Sequence, residues 1–329
     1  MDHVERFRAV MHFQPVDRLP RWEWAMWWDK TIDRWRDEGL PASLQDTFDI
    51  HTYFGLDPYI QFWFSTTDAS IAATQHHVEG GVADMDDYRR IRPALYPDHS
   101  AAIGRMAPWF ARQDRGEAVV WITLEGYFWF LRTLMGFAPL MLAYYDDPEL
   151  LHCINEDLVA FNLGVLDRVA AVGRPVFMTI AEDMSYNHGP MVSRRICDEF
   201  MAPYYGRTLA RAKELGMVTI VDTDGDITAL APWLLSVGVE GVLPLERQAG
   251  VDGLELRRRF PDLRFIGHFD KMSMPHGAEA MRQEFERLLP VMKTGGYIPS
   301  VDHQTPPGVS LAQYRQYLNL LAEYTAAGA

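Results

Sequence analysis

From Gly116 onward, short apolar runs rich in β-branched residues alternate with longer stretches whose apolar residues recur at helical spacing. The first run, 119–124, ends at Glu125-Gly126; Asp147-Pro148 then opens a long helix to Val172, which Gly173 closes. A strand over 175–180 ends in Glu182-Asp183, and a helix over 193–215 leads through Gly216 to Val218-Thr219-Ile220-Val221. That run empties into Asp222, Asp224 and Asp226 on alternate positions, the pattern of a buried parallel strand meeting a loop. The periodicity then predicts a helix over 227–237, a strand over 241–245 before Glu246, and a short helix over 253–260. A strand over 263–266 ends at Gly267-His268-Phe269-Asp270, a helix over 278–294 stops at Gly295-Gly296, and a last strand over 297–301 ends in Asp302-His303.

Upstream the pattern is less regular. A helix over 4–13 stops before Pro15. The turn Asp17-Arg18-Leu19-Pro20 leads into Arg21 to Trp28, which reads as either a strand or a helix start, and 59–65 is strand-like. Turn signals fall at 54–58 and at Glu79-Gly80-Gly81. Six clear strand-then-helix units, a strand near Trp22 and one more obscured strand predict an α/β fold, a (β/α)8 TIM barrel, with a doubly wound sheet as the alternative. No Gly-, Ser- or Pro-rich linker divides the chain, so 1–329 reads as one domain with a helical N-terminal extension.

Composition narrows the function. The 329 residues are 48% hydrophobic, enough for one barrel-sized core, and the net charge of −14 argues against nucleic acid and anionic membrane surfaces as partners. Cys153 and Cys197 lie in helix-like segments and read as packed thiols. The charged N-terminus has no apolar signal region and no apolar run approaches the ~18 residues of a membrane span, so an unprocessed cytoplasmic protein is expected.

In a barrel the carboxyl ends of the strands converge on one pocket, here predicted to be lined by Glu125, Glu182, Asp222, Glu246, His268 and Asp302. Several carboxylates in such a pocket cannot all ionise cheaply, so at least one should titrate near neutrality and act as acid or base. Glu182, Asp183, Glu246 and His268 are the candidates for that role, against the plainer alternative of strand-end hydrogen bonding and helix capping. Trp22, Trp24, Trp27, Trp28, Tyr127, Trp129 and Tyr186 would suit a flat or methoxylated small molecule, or simply pack. The spacing of Asp222, Asp224 and Asp226 matches the opening of a calcium-binding loop, but Ile227 and Trp233 occupy the positions where that loop needs glycine and glutamate. His76-His77, His188 and His276 lack ligand spacing.

A set of short motifs in a fixed order adds to this reading. Arg6-Phe7-Arg8-Ala9-Val10 with Pro15 to Pro20, Glu182-Asp183-Met184 with Gly189-Pro190-Met191-Val192-Ser193, Pro203-Tyr204-Tyr205, Asp224-Gly225-Asp226-Ile227, Pro244-Leu245-Glu246 and Gly295-Gly296-Tyr297-Ile298 together resemble the uroporphyrinogen decarboxylase superfamily across nearly the whole chain. The resemblance implies a (β/α)8 barrel, a cytoplasmic protein and a homodimer. It also implies one of two activities: porphyrinogen decarboxylation, or zinc-dependent methyl transfer with a corrinoid held on a partner protein. The decarboxylases carry an arginine-rich motif after the first strand, where this chain reads Glu23-Trp24-Ala25-Met26-Trp27-Trp28; an acidic, aromatic mouth lacks the guanidinium forks that grip carboxylates.

The methyltransferases carry a His-x-Cys after one strand and a second Cys after the last. By position this chain places Asp222-Thr223-Asp224 and Asp302-His303 there, so the thiolate ligands are absent. Carboxylates gathered at two strand ends repel one another, and Asp222, Asp224, Asp302 and His303 are therefore expected to hold a hard divalent cation (zinc, manganese or magnesium), unless Lys271 pairs with an aspartate instead. Substrate contacts are expected from Glu23, Trp24, Glu125, Tyr127, Tyr186 and Lys271. The expected function is methyl transfer between a small methylated substrate, aromatic or methoxylated, and a corrinoid protein; the alternatives are a decarboxylase of porphyrin biosynthesis and a non-catalytic small-molecule-binding barrel.

Overall fold

A computed structural model describes residues 1–67 and 80–329. His76-His77 and Glu79 of the expected turn lie outside the described residues. The strands are β1 (Tyr59–Phe64), β2 (Val119–Glu125), β3 (Phe177–Ala181), the hairpin β4 (Ser185–Tyr186) and β5 (Gly189–Pro190), then β6 (Val218–Asp222), β7 (Gly241–Leu243), β8 (Arg264–Phe269) and β9 (Tyr297–Val301). Apart from the hairpin they form one parallel sheet of seven strands in the order β1-β2-β3-β6-β7-β8-β9. Parallel neighbours require a crossover between them, and helices such as Pro148–Ala170, Ala202–Glu214 and Ala278–Met292 supply it. Register brings Glu125, Ala181, Asp222 and Leu243 side by side, so the ends of β2, β3, β6 and β7 open into one rim.

The helical and strand rhythm read from the sequence is present, with local departures that have physical causes. The stretch expected as one helix over 193–215 divides into Arg194–Phe200 and Ala202–Glu214, broken at Met201 where Pro203 enters the first turn of the second helix. The expected helix over 227–237 shrinks to Ala231–Ser236, because the preceding loop is taken up by turns. Two helices that the periodicity did not announce, Trp129–Met135 and Phe137–Asp146, separate β2 from the long helix.

The stretch Arg21 to Trp28 departs furthest from expectation, being neither a regular strand nor the start of a helix before Asp29. It nevertheless touches both edges of the sheet. The Arg21 carbonyl accepts the Asp57 N–H at 2.9 Å just before β1, and the Tyr59 hydroxyl donates to the Glu23 carbonyl. On the other side the Trp24 N–H donates to Ser300 Oγ of β9, its indole N–H donates to the Val301 carbonyl, and Trp27 makes a lone parallel bridge to Thr305. One segment reaching the first and last strands means that the sheet curls round, in the manner of a TIM-like barrel, with seven regular strands among the described residues.

The amino ends of the strands are closed by aromatic packing. Phe7, from the helix His3–Met11, stacks on Trp22 (5.4 Å between ring centroids) and on Phe177 at the start of β3 (4.9 Å), and Phe177 meets Trp121 edge-on at 4.5 Å. The Gly296 N–H donates to the Val10 carbonyl and the Arg264 guanidinium to the Met11 carbonyl, and these bonds fix the helix beneath β8 and β9. With that floor sealed, a ligand can enter from the carboxyl ends.

Among the described residues no helix is long and apolar enough to cross a membrane. Cys153 and Cys197 are free thiols on helices, the second fully buried. Because Phe7 is wholly buried against the rings of Trp22 and Phe177, Phe7→Ala is expected to lower unfolding free energy by about 3–5 kcal/mol. Urea denaturation followed by near-ultraviolet circular dichroism measures it, and a loss below about 1 kcal/mol would show that the floor is not packed as described.

Candidate functional site

The rim surrounds a pocket of about 340 Å³. Asp222 enters it as the last residue of β6, and Asp224 follows two positions later in the loop. That loop is held by backbone approaches only glycine allows. Gly225 has φ +82°, a Cβ there would lie 2.6 Å from the Tyr186 backbone, and its N–H donates to Glu246 at 3.0 Å. Asp183, just beyond β3, contributes the third carboxylate from a left-handed backbone conformation that Asp tolerates better than most residues. Trp24, Trp63 and Trp129 supply aromatic wall, and His303 lies edge-on to Trp24 at 6.3 Å.

Electrostatics set this group apart. Burial, with repulsion from Asp183 and Asp224, pushes the Asp222 carboxyl far above the usual carboxylate range, and no hydrogen bond or ion pair to it exists among the described residues. Burial and the neighbouring Asp183 and Glu246 raise Asp224 to about 7. His303 accepts the Gln304 N–H at Nδ1, its Nε2 stands 3.8 Å from Asp224, and burial together with Lys271 holds its pKa below the usual value. The Trp24 indole N–H is already spent on the Val301 carbonyl, so this side chain offers the pocket aromatic carbon surface. Asp183 is met from behind by Arg132, which donates to its carbonyl at 3.1 Å and stands 3.5 Å from its carboxylate while lying over the Trp129 ring. A site with titratable acids near neutrality, a neutral imidazole and an indole wall can exchange protons with a bound molecule or hold positive charge.

The structure thus brings Trp24, Asp183, Asp222, Asp224 and His303 together and puts the other expected residues elsewhere. Glu182 is fully buried: its carboxylate accepts N–H groups of Tyr127, Phe128 and Trp129 at 2.8–3.0 Å and the Tyr205 hydroxyl at 2.7 Å, capping the helix Trp129–Met135. Gly126 must be glycine to admit it, since a Cβ would lie 2.1 Å from that carboxyl carbon. His268 is also buried, accepting the Gly253 N–H at Nε2 and donating from Nδ1 to the Leu245 carbonyl; desolvation drops its pKa to about 3. Glu125 ties β2 to the end of β1 through Ser65 and Thr66, and Glu246 receives the Gly225 N–H. Tyr127 is buried against Thr208, while Tyr186 is half exposed in a separate apolar hollow.

Two further departures concern charge. Glu23 points into the core beneath the C-terminal helix, accepting the Tyr317 hydroxyl at 2.8 Å with its other oxygen unpartnered, and so does not line the pocket. Asp302 is fully buried and engaged by Lys271 Nζ at 3.0 Å and by the Arg247 N–H at 3.0 Å; Lys271 also holds Gln248. The pairing of Lys271 with an aspartate is therefore present, and it removes Asp302 from the expected ligand set. Among the described residues no three His, Cys, Asp or Glu side chains are grouped to hold a metal ion, and neither cysteine lines the pocket. Gln61, Trp63, Gln304 and Arg132 were not anticipated. Gln61 shares a strand face with Tyr59 and Trp63 along β1 and bonds Thr123 Oγ1 at 2.8 Å, so a polar residue inside an apolar strand was the available signal.

These features define a TIM-like α/β protein with an acidic, tryptophan-walled pocket at the carboxyl ends of its strands. A family pattern for uroporphyrinogen decarboxylase (URO-D) matches residues 77–324, and the chain belongs to that family. Among solved structures it is similar to a methyltransferase from Methanosarcina mazei, with a TM-score of 0.67 and 14% identity over 98% of this chain and 99% of that one. It is also similar to a putative vitamin-B12 independent methionine synthase from Listeria monocytogenes, with a TM-score of 0.51 and 12% identity over 94% and 97% of the two chains. At these identities the likeness is one of fold. No curated protein matches the sequence.

Burial pushes the Glu23 carboxyl from 4.5 up to about 8, against the Tyr317 and Ser300 hydrogen bonds that favour its ionised form. Between those values the native state keeps a proton that the unfolded chain has lost, so this group makes stability fall as pH rises from about 4.5 to about 8. Urea unfolding of wild type and Glu23→Gln across that range is expected to show the difference shifting in favour of the variant with pH. A pH-independent difference would contradict a proton on Glu23.

Proposed function

We propose that this protein is a methyltransferase-like enzyme that moves a methyl group between a small methylated substrate in the acidic pocket and a corrinoid carried on a partner protein. The carrying observation is the pocket's lining: carboxyl groups and indole rings, with no lysine or arginine among its described residues. A multiply anionic tetrapyrrole would meet repulsion there, which disfavours the decarboxylase reading despite the family's name. The structural similarity to the Methanosarcina mazei methyltransferase supports the same direction.

A corrinoid would supply the nucleophile in its reduced Co(I) state, or the methyl group in its methylated Co(III) state, according to direction. The chain's own residues do the rest. The tryptophans exclude water from the methyl carbon and orient it, while Asp224 can hold or release the proton that the demethylated product needs. Asp183, pinned by Arg132, is a fixed charge. An apolar hollow of about 480 Å³ on the far side of Arg132, lined by Phe137, Tyr186, Pro190 and Met191, supports the approach of a carrier protein from that side. Closure of the curled sheet into a full (β/α)8 barrel by Arg21 to Trp28 also belongs to this proposal.

The thiolate chemistry of the zinc methyltransferases does not fit these donors, and no step above passes through a metal. Asp222, Asp224 and His303 are what the pocket would offer a hard cation. Elemental analysis of protein purified without chelators is expected to find less than stoichiometric metal; one equivalent that disappears in Asp222→Ala and His303→Ala would assign the carboxylates to a metal instead.

Methyl transfer to reduced cobalamin, followed by the corrinoid absorbance change over a panel of methylated donors, tests the reading directly. At least one donor should react, with Asp222→Asn slower by about 10-fold or more, about 1.4 kcal/mol of lost transition-state stabilisation. Uroporphyrinogen should not be decarboxylated. Porphyrin products without any methyl transfer would reverse the assignment.

A further inference from the structure

We propose that the pocket recognises a methylated ammonium cation, an amine whose N-methyl groups lie against the tryptophans and whose positive charge faces Asp222. This rests on the reading of the pocket as the substrate site and names the chemical class that the site selects. Three observations carry it together. The first is the carboxyl group of Asp222, half-buried in the pocket wall with no hydrogen-bond or ion-pair partner among the described residues and repelled by Asp183 and Asp224. Such a carboxyl group keeps its proton when no ligand is bound, and a cation beside it would let it ionise.

The second is what surrounds it. Asp302, the fully buried aspartate at the rim, already has Lys271, whereas among the described residues the pocket lining contains no basic side chain apart from the neutral His303. Anionic and zwitterionic ligands would place negative charge against uncompensated carboxylates. The third observation is the wall of Trp24, Trp63 and Trp129 in a volume of about 340 Å³. Indole faces attract diffuse cations, and Trp24 has its N–H committed elsewhere, so it presents no competing donor.

A metal ion satisfies these observations less well than an organic cation. It needs several oxygen or nitrogen donors at bonding distance, and no three such groups are assembled among the described residues. A methylated ammonium carries its charge on an apolar, nearly spherical surface. It needs no directed hydrogen bonds, and it uses aromatic faces and a carboxylate a few ångströms away at once. A neutral methoxylated ligand would use the tryptophans and leave Asp222 uncompensated.

Isothermal titration of the full chain with choline, with its uncharged isostere 3,3-dimethylbutan-1-ol and with magnesium tests the inference. Choline should bind about 10-fold more tightly than the isostere, and magnesium should not displace it. Asp222→Asn should remove most of that preference while leaving the isostere's affinity within about twofold, and Trp24→Leu should weaken both ligands. Equal affinities, failure of choline to bind, or an unchanged preference in Asp222→Asn would overturn the inference. Methyl transfer from an uncharged donor by a protein that ignores choline would overturn only the ammonium class. Tight choline binding with no methyl transfer from any donor would instead overturn the methyltransferase reading.

Discussion

A carboxyl group taken out of water must find hydrogen bonds, a counter-ion or a proton. The rim of this sheet carries many such groups, and how each one meets that demand divides scaffold from site. Glu182 takes three backbone N–H groups and a tyrosine hydroxyl; Glu125 takes the end of β1; Asp302 takes Lys271 and the Arg247 N–H. These partners join successive strand ends and fix the loops. Among the described residues the Asp222 carboxyl has no such partner, and Asp224 has only a distant imidazole. Among the rim acids of the described residues, the ones left without such partners meet in one pocket, beside loops that the satisfied acids hold still.

The same division explains what was legible in the sequence. Apolar runs ending in acids announced the strands and placed the acidic rim at their carboxyl ends, because strand periodicity and barrel geometry are local and repetitive. Sequence alone could not say which acids face the pocket. Glu182 and Asp183 are adjacent, yet one caps a helix and the other lines the cavity, a difference set by the left-handed backbone at Asp183 and by Gly126 admitting the Glu182 carboxyl. Likewise Glu23 and Trp24 are neighbours on an irregular segment, and only Trp24 reaches the site. The segment from Arg21 escaped definition because it fills the gap between β1 and β9 through side-chain and isolated backbone bonds, leaving no periodic signature.

Sealing one end of the sheet matters as much as opening the other. The Phe7, Trp22, Phe177 and Trp121 cluster makes a rigid apolar floor, so loop positions above it can carry strain and repulsion without loss of the frame. Family membership and the fold-level likeness to a methyltransferase fit that arrangement, in which a common scaffold carries different acids and aromatics at its strand ends.

The central claim is that Asp222 is held for a ligand at the expense of the fold, whereas Glu182 holds the fold. Urea unfolding of Asp222→Asn and Glu182→Gln at pH 8, without ligand, tests it most directly. Asp222→Asn is expected to be as stable as wild type or more so, and Glu182→Gln to lose about 1–3 kcal/mol through weakened buried hydrogen bonds. A loss in Asp222→Asn as large as that in Glu182→Gln would contradict it.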